Sequence, residues 1–143
     1  MKPNIIKDKS KLFAIKMINL YKDLSINKKE YVLSKQILRS GTSIGANINE
    51  ASCSITKKEF LSKMYISYKE ASESQYWLEL LKDTNYINED EFNSFNNDCK
   101  ELIRLLSSIT KSTRDHQRLF NQPQAMRLRL SPQQRPQSFQ NVS

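Results

Sequence analysis

The sequence predicts an all-α protein, namely an antiparallel up-down-up-down four-helix bundle followed by a disordered basic C-terminal tail. Glycine is scarce, with 2 Gly in 143 residues, against a usual share of about 7%. This scarcity disfavours turn-rich β architectures and glycine-rich phosphate loops. A pattern typical of helix starts occurs three times. After the starts, apolar residues recur at steps of three and four, the period near 3.5 that nearly antiparallel packed helices require.

Each helix start combines a capping box with a hydrophobic staple. An Asn or Thr side chain accepts a hydrogen bond from a free backbone N–H, and a Glu three residues later reaches back to the N–H of the cap residue. An Ile before the cap and an aromatic residue five positions after it form the staple. The three copies span Ile26–Tyr31, Ile55–Phe60 and Ile87–Phe92.

The apolar stripes predict four helices, at residues 8–25, 28–54, 57–84 and 89–113. Their connections are only a few residues long, so successive helices should be antiparallel neighbours within one domain, residues 1–115. The stripes consist of Phe13, Met17, Leu20 and Leu24; of Leu33, Ile37, Gly41, Ile44, Ile48, Ala51 and Ile55; of Phe60, Met64, Tyr68, Ala71, Leu78 and Leu81, interrupted by Gln75; and of Phe92, Phe95, Cys99, Leu102, Leu106 and Ile109.

Residues 116–143 have a different composition, with no Asp or Glu, four Arg, three Pro and seven Gln. Such a composition predicts a disordered extension rather than a fifth helix. A short ordered piece at residues 125–130 is the alternative, because Met126, Leu128 and Leu130 alternate there with other residues, mostly arginine.

Both glycines, Gly41 and Gly45, fall inside the second predicted helix. Each costs about 1 kcal/mol there relative to alanine, so another interaction must offset the loss. One explanation is the close approach of a second helix to a shallow face that also includes Ser40 and Ser52. Another is a bend, with Thr42 or Ser43 recapping the helix. A phosphate cradle is the weakest of the three, since the Lys-Ser/Thr ending of a P-loop is absent.

The net charge of +8 is concentrated at the two ends of the chain. Residues 1–29 carry eight Lys against two Asp, and residues 116–143 carry four Arg and no acid. In an up-down-up-down bundle both chain ends emerge at one pole, together with the turn between the second and third helices. We call this end the basic pole; its predicted members are Lys2, Lys7, Lys9, Lys11, Lys57, Lys58, Arg114 and tail arginines including Arg118.

A cluster of this kind predicts binding to the backbone of RNA or DNA without strong sequence preference, because phosphate neutralisation dominates such binding. A merely solvated lysine surface is the alternative. The acidic run Glu89-Asp90-Glu91 belongs to the opposite pole, where it complements the positive end of its own helix dipole.

Three sequence blocks carry a family resemblance. They are Arg39-Ser40-x-x-Ser43-Ile44-x-Ala46-Asn47-Ile48-x-Glu50-Ala51, Lys57-Lys58-Glu59-Phe60, and Lys69-Glu70-Ala71-x-Glu73-x-x-Tyr76-Trp77-Leu78-x-Leu80-Leu81. These blocks resemble those of the bacterial four-helix bundle proteins known as 23S ribosomal RNA intervening-sequence proteins. The resemblance covers about residues 8–113 and implies a helical bundle that assembles into a small ring, a homopentamer. It also implies distant kinship to the accessory proteins of diversity-generating retroelements, and hence an alternative role as a protein–protein adaptor of a reverse transcriptase. Proline at the position of Gly45 in many relatives favours the bend.

These blocks contain polar and aromatic residues that we assign to helix packing or to a subunit interface. The polar set predicts either a hydrogen-bonded network between helices or an ion-pair set between subunits. For the aromatic residues, packing in the core or an interface is favoured over base stacking. The polar set is Arg39, Asn47, Glu50, Glu70 and Glu73, and the aromatic set is Tyr65, Tyr68, Tyr76 and Trp77.

The sequence does not predict an enzyme, a cofactor or a metal site. The single histidine, His116, has no H-E-x-x-H context, and a carboxylate-bridged metal site on Glu70 and Glu73 would need a histidine that these helices lack. Cys53 and Cys99 have no metal or disulfide spacing, so we expect small core residues in a reducing cytoplasm. No apolar run approaches the roughly 18 residues of a membrane span, and no cleavable leader opens the chain.

Overall fold

The computed structural model describes residues 3–120, and these form four helices without any strand. The predicted all-α class is therefore confirmed for this part of the chain. No helix within residues 3–120 combines the length and the apolar character that crossing a lipid bilayer requires. The helices are α1 at Pro3–Lys22, α2 at Leu33–Ala51, α3 at Lys57–Asp83 and α4 at Glu89–Phe120, and a π-helical turn at Asp23–Asn27 extends α1.

Each helix packs on the one before it, and α1 also packs on α4. Along every pair, residues nearer the start of one helix lie beside residues nearer the end of the other, so all four pairs are antiparallel. The up-down-up-down arrangement is confirmed. The neighbouring residues are Ser10–Gly45 and Met17–Gly41 between α1 and α2, Glu50–Lys63 and Ser40–Ser74 between α2 and α3, Ala71–Cys99 and Lys82–Phe92 between α3 and α4, and Lys9–Glu101 and Lys16–Asp98 between α1 and α4.

One apolar core runs along the bundle and includes a polar pair. Met17, Ile44 and Leu106 are fully buried in it. Gln75, which interrupts the apolar stripe of α3, donates a hydrogen bond from Nε2 to Oδ1 of Asn96 on α4 at 2.9 Å. Asn96 is also buried. The two amides therefore satisfy part of each other's hydrogen-bonding requirement inside the bundle.

The glycines of α2 allow α1 to approach closely. A Cβ atom added to Gly41 would lie 2.5 Å from Cγ and 2.9 Å from Cβ of Met17. At Gly45 the added atom would lie 3.3 Å from Oγ of Ser10. α2 continues as a helix through both positions, so the helix is not broken and recapped at Gly41 as the bend alternative predicts. Thr42 does not recap the helix, because its hydroxyl donates to the carbonyl oxygen of Leu38 at 2.7 Å within the same helix.

Serine side chains allow a similarly close approach between α2 and α3. Ser67 is fully buried and donates a hydrogen bond to the carbonyl oxygen of Ile44 at 2.8 Å. The hydroxyls of Ser40 and Ser74, also buried, hydrogen-bond to each other at 2.9 Å. Ser40 therefore faces α3 and does not belong to the glycine face against α1. Small side chains on both sides of α2 bring three helix backbones close together.

The second and third predicted helix starts form their capping boxes. The N–H of Glu59 donates to Oγ1 of Thr56 at 3.1 Å, and the N–H of Glu91 donates to Oδ1 of Asn88 at 2.8 Å. Glu91 also accepts from the N–H of Asn88, as predicted, whereas Glu59 accepts from the N–H of Ile55 instead of Thr56. The hydrophobic staples of the two helix starts also differ. Ile87 is buried and can form a staple, but Ile55 is 94% exposed and cannot.

The first predicted helix start is wrong. Asn27 ends the π-helical turn, and its Nδ2 donates to Oδ1 of Asp23 at 2.7 Å, a hydrogen bond that lowers the pKa of Asp23. Lys29 then adopts a left-handed backbone with φ of 56°, which redirects the chain. α2 begins only at Leu33, five residues after the predicted start.

The carboxylate of Glu30 caps α2 in place of Asn27. Its Oε1 accepts from the N–H groups of Val32 and Leu33, both at 2.9 Å, and its Oε2 accepts from the N–H of Ser34 at 2.6 Å. Burial alone would raise the pKa of Glu30, but these backbone hydrogen bonds outweigh it and lower the pKa. A buried negative charge at the helix start also complements the helix dipole.

The last helix is longer than predicted, because α4 continues to Phe120 rather than ending near residue 113. Five residues that the composition assigns to the tail, 116–120, are therefore helical. The remaining tail prediction, including the disordered extension and the ordered piece at 125–130, lies outside the described residues.

Substituting Gly41→Ala should lower the free energy of unfolding by about 1 kcal/mol. Overpacking against Met17 costs about 1–3 kcal/mol, and the alanine recovers about 1 kcal/mol of helix propensity. Urea denaturation measures the change. Gly45→Ala is the matched control, since its added methyl group would lie 3.3 Å from the Ser10 hydroxyl and no closer than 3.6 Å to other atoms; it should be neutral or stabilising. Stabilisation by both variants would show that close approach is not the role of Gly41.

Substituting Glu30→Gln should destabilise the fold at pH 7 by about 2 kcal/mol, as expected for lost charge-assisted hydrogen bonds. Because the folded state lowers the pKa of Glu30, its contribution is complete above the unfolded value, about 4.3. The contribution disappears as the pH falls through the lower folded value. Denaturation curves at pH 7 and pH 3 should therefore differ less for Glu30→Gln than for the wild type. The substitution Thr56→Ala removes a neutral helix cap, so it should lower the stability but retain the full pH dependence.

Candidate nucleic-acid interface

The start of α1, the end of α2, the start of α3 and the last part of α4 meet at one end of the bundle. All four contribute to one cavity there, through Ile6, Ser52, Phe60 and Thr113 respectively. The predicted basic pole is therefore a real juxtaposition of sequence-distant segments. Its geometry follows from the antiparallel order, which returns the chain to the same end after every second helix.

Most of the predicted basic residues lie at this end and are exposed. Within the segments 3–11, 52–60 and 108–120, eight basic side chains stand against three acidic ones, Asp8, Glu59 and Asp115. Lys2 lies outside the described residues. The predicted and exposed members are Lys11, Lys57, Lys58, Arg114 and Arg118, and Lys7 is half-buried in the cavity wall.

Lys111 belongs to the basic pole and was missed by the sequence analysis. It is exposed on α4, three residues before Arg114 and seven before Arg118. Residues at these spacings share one face of a helix. The signal was present in the sequence, because Lys111 lies inside the predicted fourth helix and three residues before Arg114, which was assigned to the pole.

Lys9 is less available than its sequence position suggests. Its Nζ lies 2.8 Å from Oε1 of Glu101 on α4, and the hydrogen bond from Lys9 lowers the pKa of Glu101. The pair joins α1 to α4 and neutralises one positive charge of the pole. Lys9 therefore contributes to the packing of the bundle rather than to its free positive charge.

His116 is uncharged at neutral pH and adds nothing to the positive potential. Burial first, and then the positive charge of Lys57, lower the pKa of His116 below its ordinary value. The start of α3 faces the end of α4, because Phe60 and Thr113 line the same cavity. The pole's charge at pH 7 is therefore carried by its lysines and arginines.

The opposite pole carries the acidic run, but it also holds lysines that the sequence grouped with the N-terminal basic block. Glu89 and Asp90 are exposed at the start of α4. Lys28 donates a hydrogen bond to the carbonyl oxygen of Tyr86 in the connection between α3 and α4, and Lys29 is next in sequence. The difference in net charge between the two poles is consequently smaller than the charges of the sequence segments predicted.

The polar residues of the family-like blocks form two separate pairings between α2 and α3. Arg39 contacts Glu70 at 3.2 Å and also contacts Glu73. Oε1 of Glu73 in turn accepts from Nε1 of Trp77 at 3.1 Å. This is the network between helices that the sequence predicted as one of two alternatives. It lies at the surface, with the Arg39 side chain 47% exposed, so its contribution to stability is small.

Two members of the predicted polar set lie elsewhere. Glu50 pairs with Lys63 of α3 at 2.8 Å, and the hydrogen bond raises the pKa of Lys63. Asn47 donates to the carbonyl oxygen of Ser43 at 2.8 Å inside α2. Neither contacts Arg39, so the set is not one network.

The aromatic residues of α3 are not uniformly buried. Tyr76 is 53% exposed and Tyr65 is 41% exposed, whereas Trp77 and Tyr68 pack partly against the core. The rings of Tyr76 and Trp77 contact each other with centroids 5.4 Å apart. The outer face of α3 is therefore aromatic as well as polar.

The cysteines divide between core and surface. Cys99 is fully buried, its thiol donates to the carbonyl oxygen of Ala71 at 3.1 Å, and burial raises its pKa to about 12. Cys53 is exposed, which corrects its expected place in the core. Within residues 3–120, no three His, Cys, Asp or Glu side chains converge as a metal site would need.

The fold and the basic pole together define a class: an antiparallel four-helix bundle with a positively charged end. The profile of the 23S rRNA-intervening sequence proteins matches residues 2–108. The chain belongs to this family. The match ends within α4, before Arg114 and the rest of the C-terminal segment.

A solved structure agrees with this assignment. It is the crystal structure of a protein of the S23 ribosomal protein family from Bacteroides thetaiotaomicron, described as having unknown function. The two chains are 54% identical and superpose with a TM-score of 0.76, and the alignment covers 78% of this chain and 99% of that chain. A comparison with curated proteins gives no significant match.

Proposed function

We propose that this protein is a non-enzymatic, self-associating bundle that binds nucleic acid, RNA above all, through its basic pole and largely without sequence specificity. The observation that carries the proposal is the convergence of basic side chains from three helices on one end of the bundle. The family name, which refers to ribosomal RNA, supports the choice of RNA.

Electrostatics supplies the mechanism. Each lysine or arginine that contacts a phosphate releases condensed counterions, and this release supplies most of the affinity of non-specific binding. Lys57, Lys58, Arg114 and Arg118 are exposed and extend into solvent from the ends of α3 and α4. None of these four has a salt-bridge partner among the described residues, in contrast to Lys9 and Lys16, which pair with acids on α4.

Self-association would multiply this weak interaction by presenting several poles together. α1 and α3 both pack on α2 and α4 and so lie diagonally opposite in the bundle. Each has a second, outward face with exposed apolar and aromatic side chains among polar ones. The exposed residues are Ile5, Leu12, Ile15 and Ile18 on α1, and Tyr65, Ile66 and Tyr76 on α3.

Two different faces on opposite sides suit head-to-tail contacts, which close into a ring when the rotation allows it. With neighbouring subunits parallel, Lys22 at the end of the α1 face would lie level with Glu79 and Asp83 at the end of the α3 face; all three are exposed. Such a ring would place every basic pole on the same side. Five subunits is the number that the family resemblance implies.

A role as a protein–protein adaptor, for example as an accessory subunit of a reverse transcriptase, is the second candidate. The same outward apolar faces favour it, because a partner protein would bury them as a second copy would. The two candidates differ in the mass of the isolated protein. Self-association predicts an oligomer without any partner, and the adaptor alone predicts a monomer.

Binding of fluorescently labelled RNA, followed by anisotropy over a range of salt concentrations, tests the proposed function. The logarithm of the association constant should fall steeply and linearly with the logarithm of the salt concentration. Replacing Lys57 and Lys58 with alanine should weaken binding and reduce that slope by about 1–2, since up to two phosphate contacts are lost.

The matched control replaces Lys29 and Lys35 with alanine, because both are exposed and lie at the opposite pole. This variant has the same net charge as the first one and should retain the wild-type slope. If both variants lost the same affinity, binding would depend on the net charge of the protein and not on the basic pole. Absence of binding at low salt would refute the proposed function.

Light scattering measures self-association directly. Leu12→Glu, on the outward face of α1, and Tyr76→Glu, on that of α3, should each lower the mass of the particle because they bury a charge in the proposed contact. Circular dichroism should show an unchanged helical bundle, since both side chains are exposed. Ile55→Glu, at a 94% exposed position away from both faces, should leave the mass unchanged. A monomeric wild type would favour the adaptor.

A further inference from the structure

The basic pole contains an apolar cavity at its centre. The cavity has a volume of about 340 Å³ and is partly open to solvent. Its wall is formed mainly by Ile6, Ile48, Phe60, Met64 and Ile109, so all four helices contribute. This volume falls in the range of about 300–1,000 Å³ that is usual for small-molecule sites. The core therefore does not close at this end.

The edge of the cavity is polar and positively charged. Lys7 lines it, and Ser52, Ser108 and Ser112 add hydroxyl groups. One further cation lies on the same side of its helix as a lining residue: Lys57 precedes Phe60 by three positions. An apolar interior with cations at its edge fits a ligand with a flat or apolar body joined to a negatively charged group.

A nucleotide whose base is unstacked has this chemistry. Single-stranded and bulged RNA is recognised through bases that leave the helical stack and enter pockets lined by aromatic and apolar side chains, with hydrogen bonds to their edges. Phe60, half-buried in the wall, supplies an aromatic ring, and the serine hydroxyls supply hydrogen-bonding groups. The phosphates on either side of the base would meet Lys7 and Lys57.

We propose that this cavity receives one unpaired base of the bound RNA, so that the protein prefers single-stranded or bulged RNA to fully paired RNA. The inference rests on the proposed function, because the basic pole must first bind the phosphate backbone. It adds a preference for RNA structure without a preference for sequence, since every base has a flat aromatic face. A fully paired helix contacts the cations only.

The experiment uses the full-length protein and three RNA hairpins that differ at one position. The first has a single bulged adenosine, the second has an abasic residue in the same bulge, and the third is fully paired. The bulged and abasic hairpins carry the same number of phosphates, so their comparison isolates the base. By anisotropy, the bulged adenosine should bind about 5- to 100-fold more tightly than the abasic bulge, as expected for one stacked base.

A variant that blocks the cavity tests the site itself. Ser108→Leu combined with Ser112→Leu adds apolar bulk at two exposed lining positions. It should abolish the preference for the base while keeping the affinity for the fully paired hairpin and its salt slope. Ser107→Leu is the control, because Ser107 is exposed on α4 and does not line the cavity. Thermal melting verifies that each variant is folded.

The outcomes separate the two proposals. Equal binding of all three hairpins, with normal salt dependence, would overturn base capture and leave the proposed function intact. The same conclusion follows if the blocked variant keeps the preference for the bulged adenosine. Failure of every hairpin to bind at low salt would overturn the proposed function and the inference together.

Discussion

The close packing of α2 between α1 and α3 is the constraint on which the rest of the structure depends. Gly41 has no side chain because Met17 occupies the space where its Cβ would lie. On the other side of α2, the buried hydroxyl of Ser67 donates a hydrogen bond to the backbone carbonyl of Ile44. Contacts this short leave little room for one helix to slide along another. They therefore fix the positions of α1, α2 and α3 along the bundle axis. The helix ends, and the charges they carry, consequently align at the basic pole.

The sequence was sufficient to predict the architecture and two of its helix starts, because those features depend on local patterns. Thr56 and Asn88 are followed at the correct spacing by glutamates and by long periodic segments, and local hydrogen bonding decides the outcome. Asn27 has the same neighbours, yet its side chain binds Asp23, and Glu30 caps α2. The competing hydrogen bond lies outside the six-residue pattern, in a π-helical turn that periodicity does not predict.

The candidate site was predictable in its position but not in its details. Chain order and helix count place the basic residues together, and the structure does bring them to one end. Which charges are free depends on contacts between helices, since Lys9 is neutralised by Glu101 of α4. The cavity was not predictable at all, since it arises where side chains of four helices fail to meet, and no local pattern encodes a gap.

The amide pair of Gln75 and Asn96 has a consequence for how reliably the bundle assembles. If α4 shifted by one turn along α3, the two amides would separate, and Asn96, which is buried, would lose its hydrogen bond where little water can replace it. The apolar contacts around them would lose much less, because leucines and isoleucines exchange places at small cost. The pair therefore discriminates against misaligned folds more than it strengthens the correct one, and it makes a single alignment of the C-terminal helix preferable to its near alternatives.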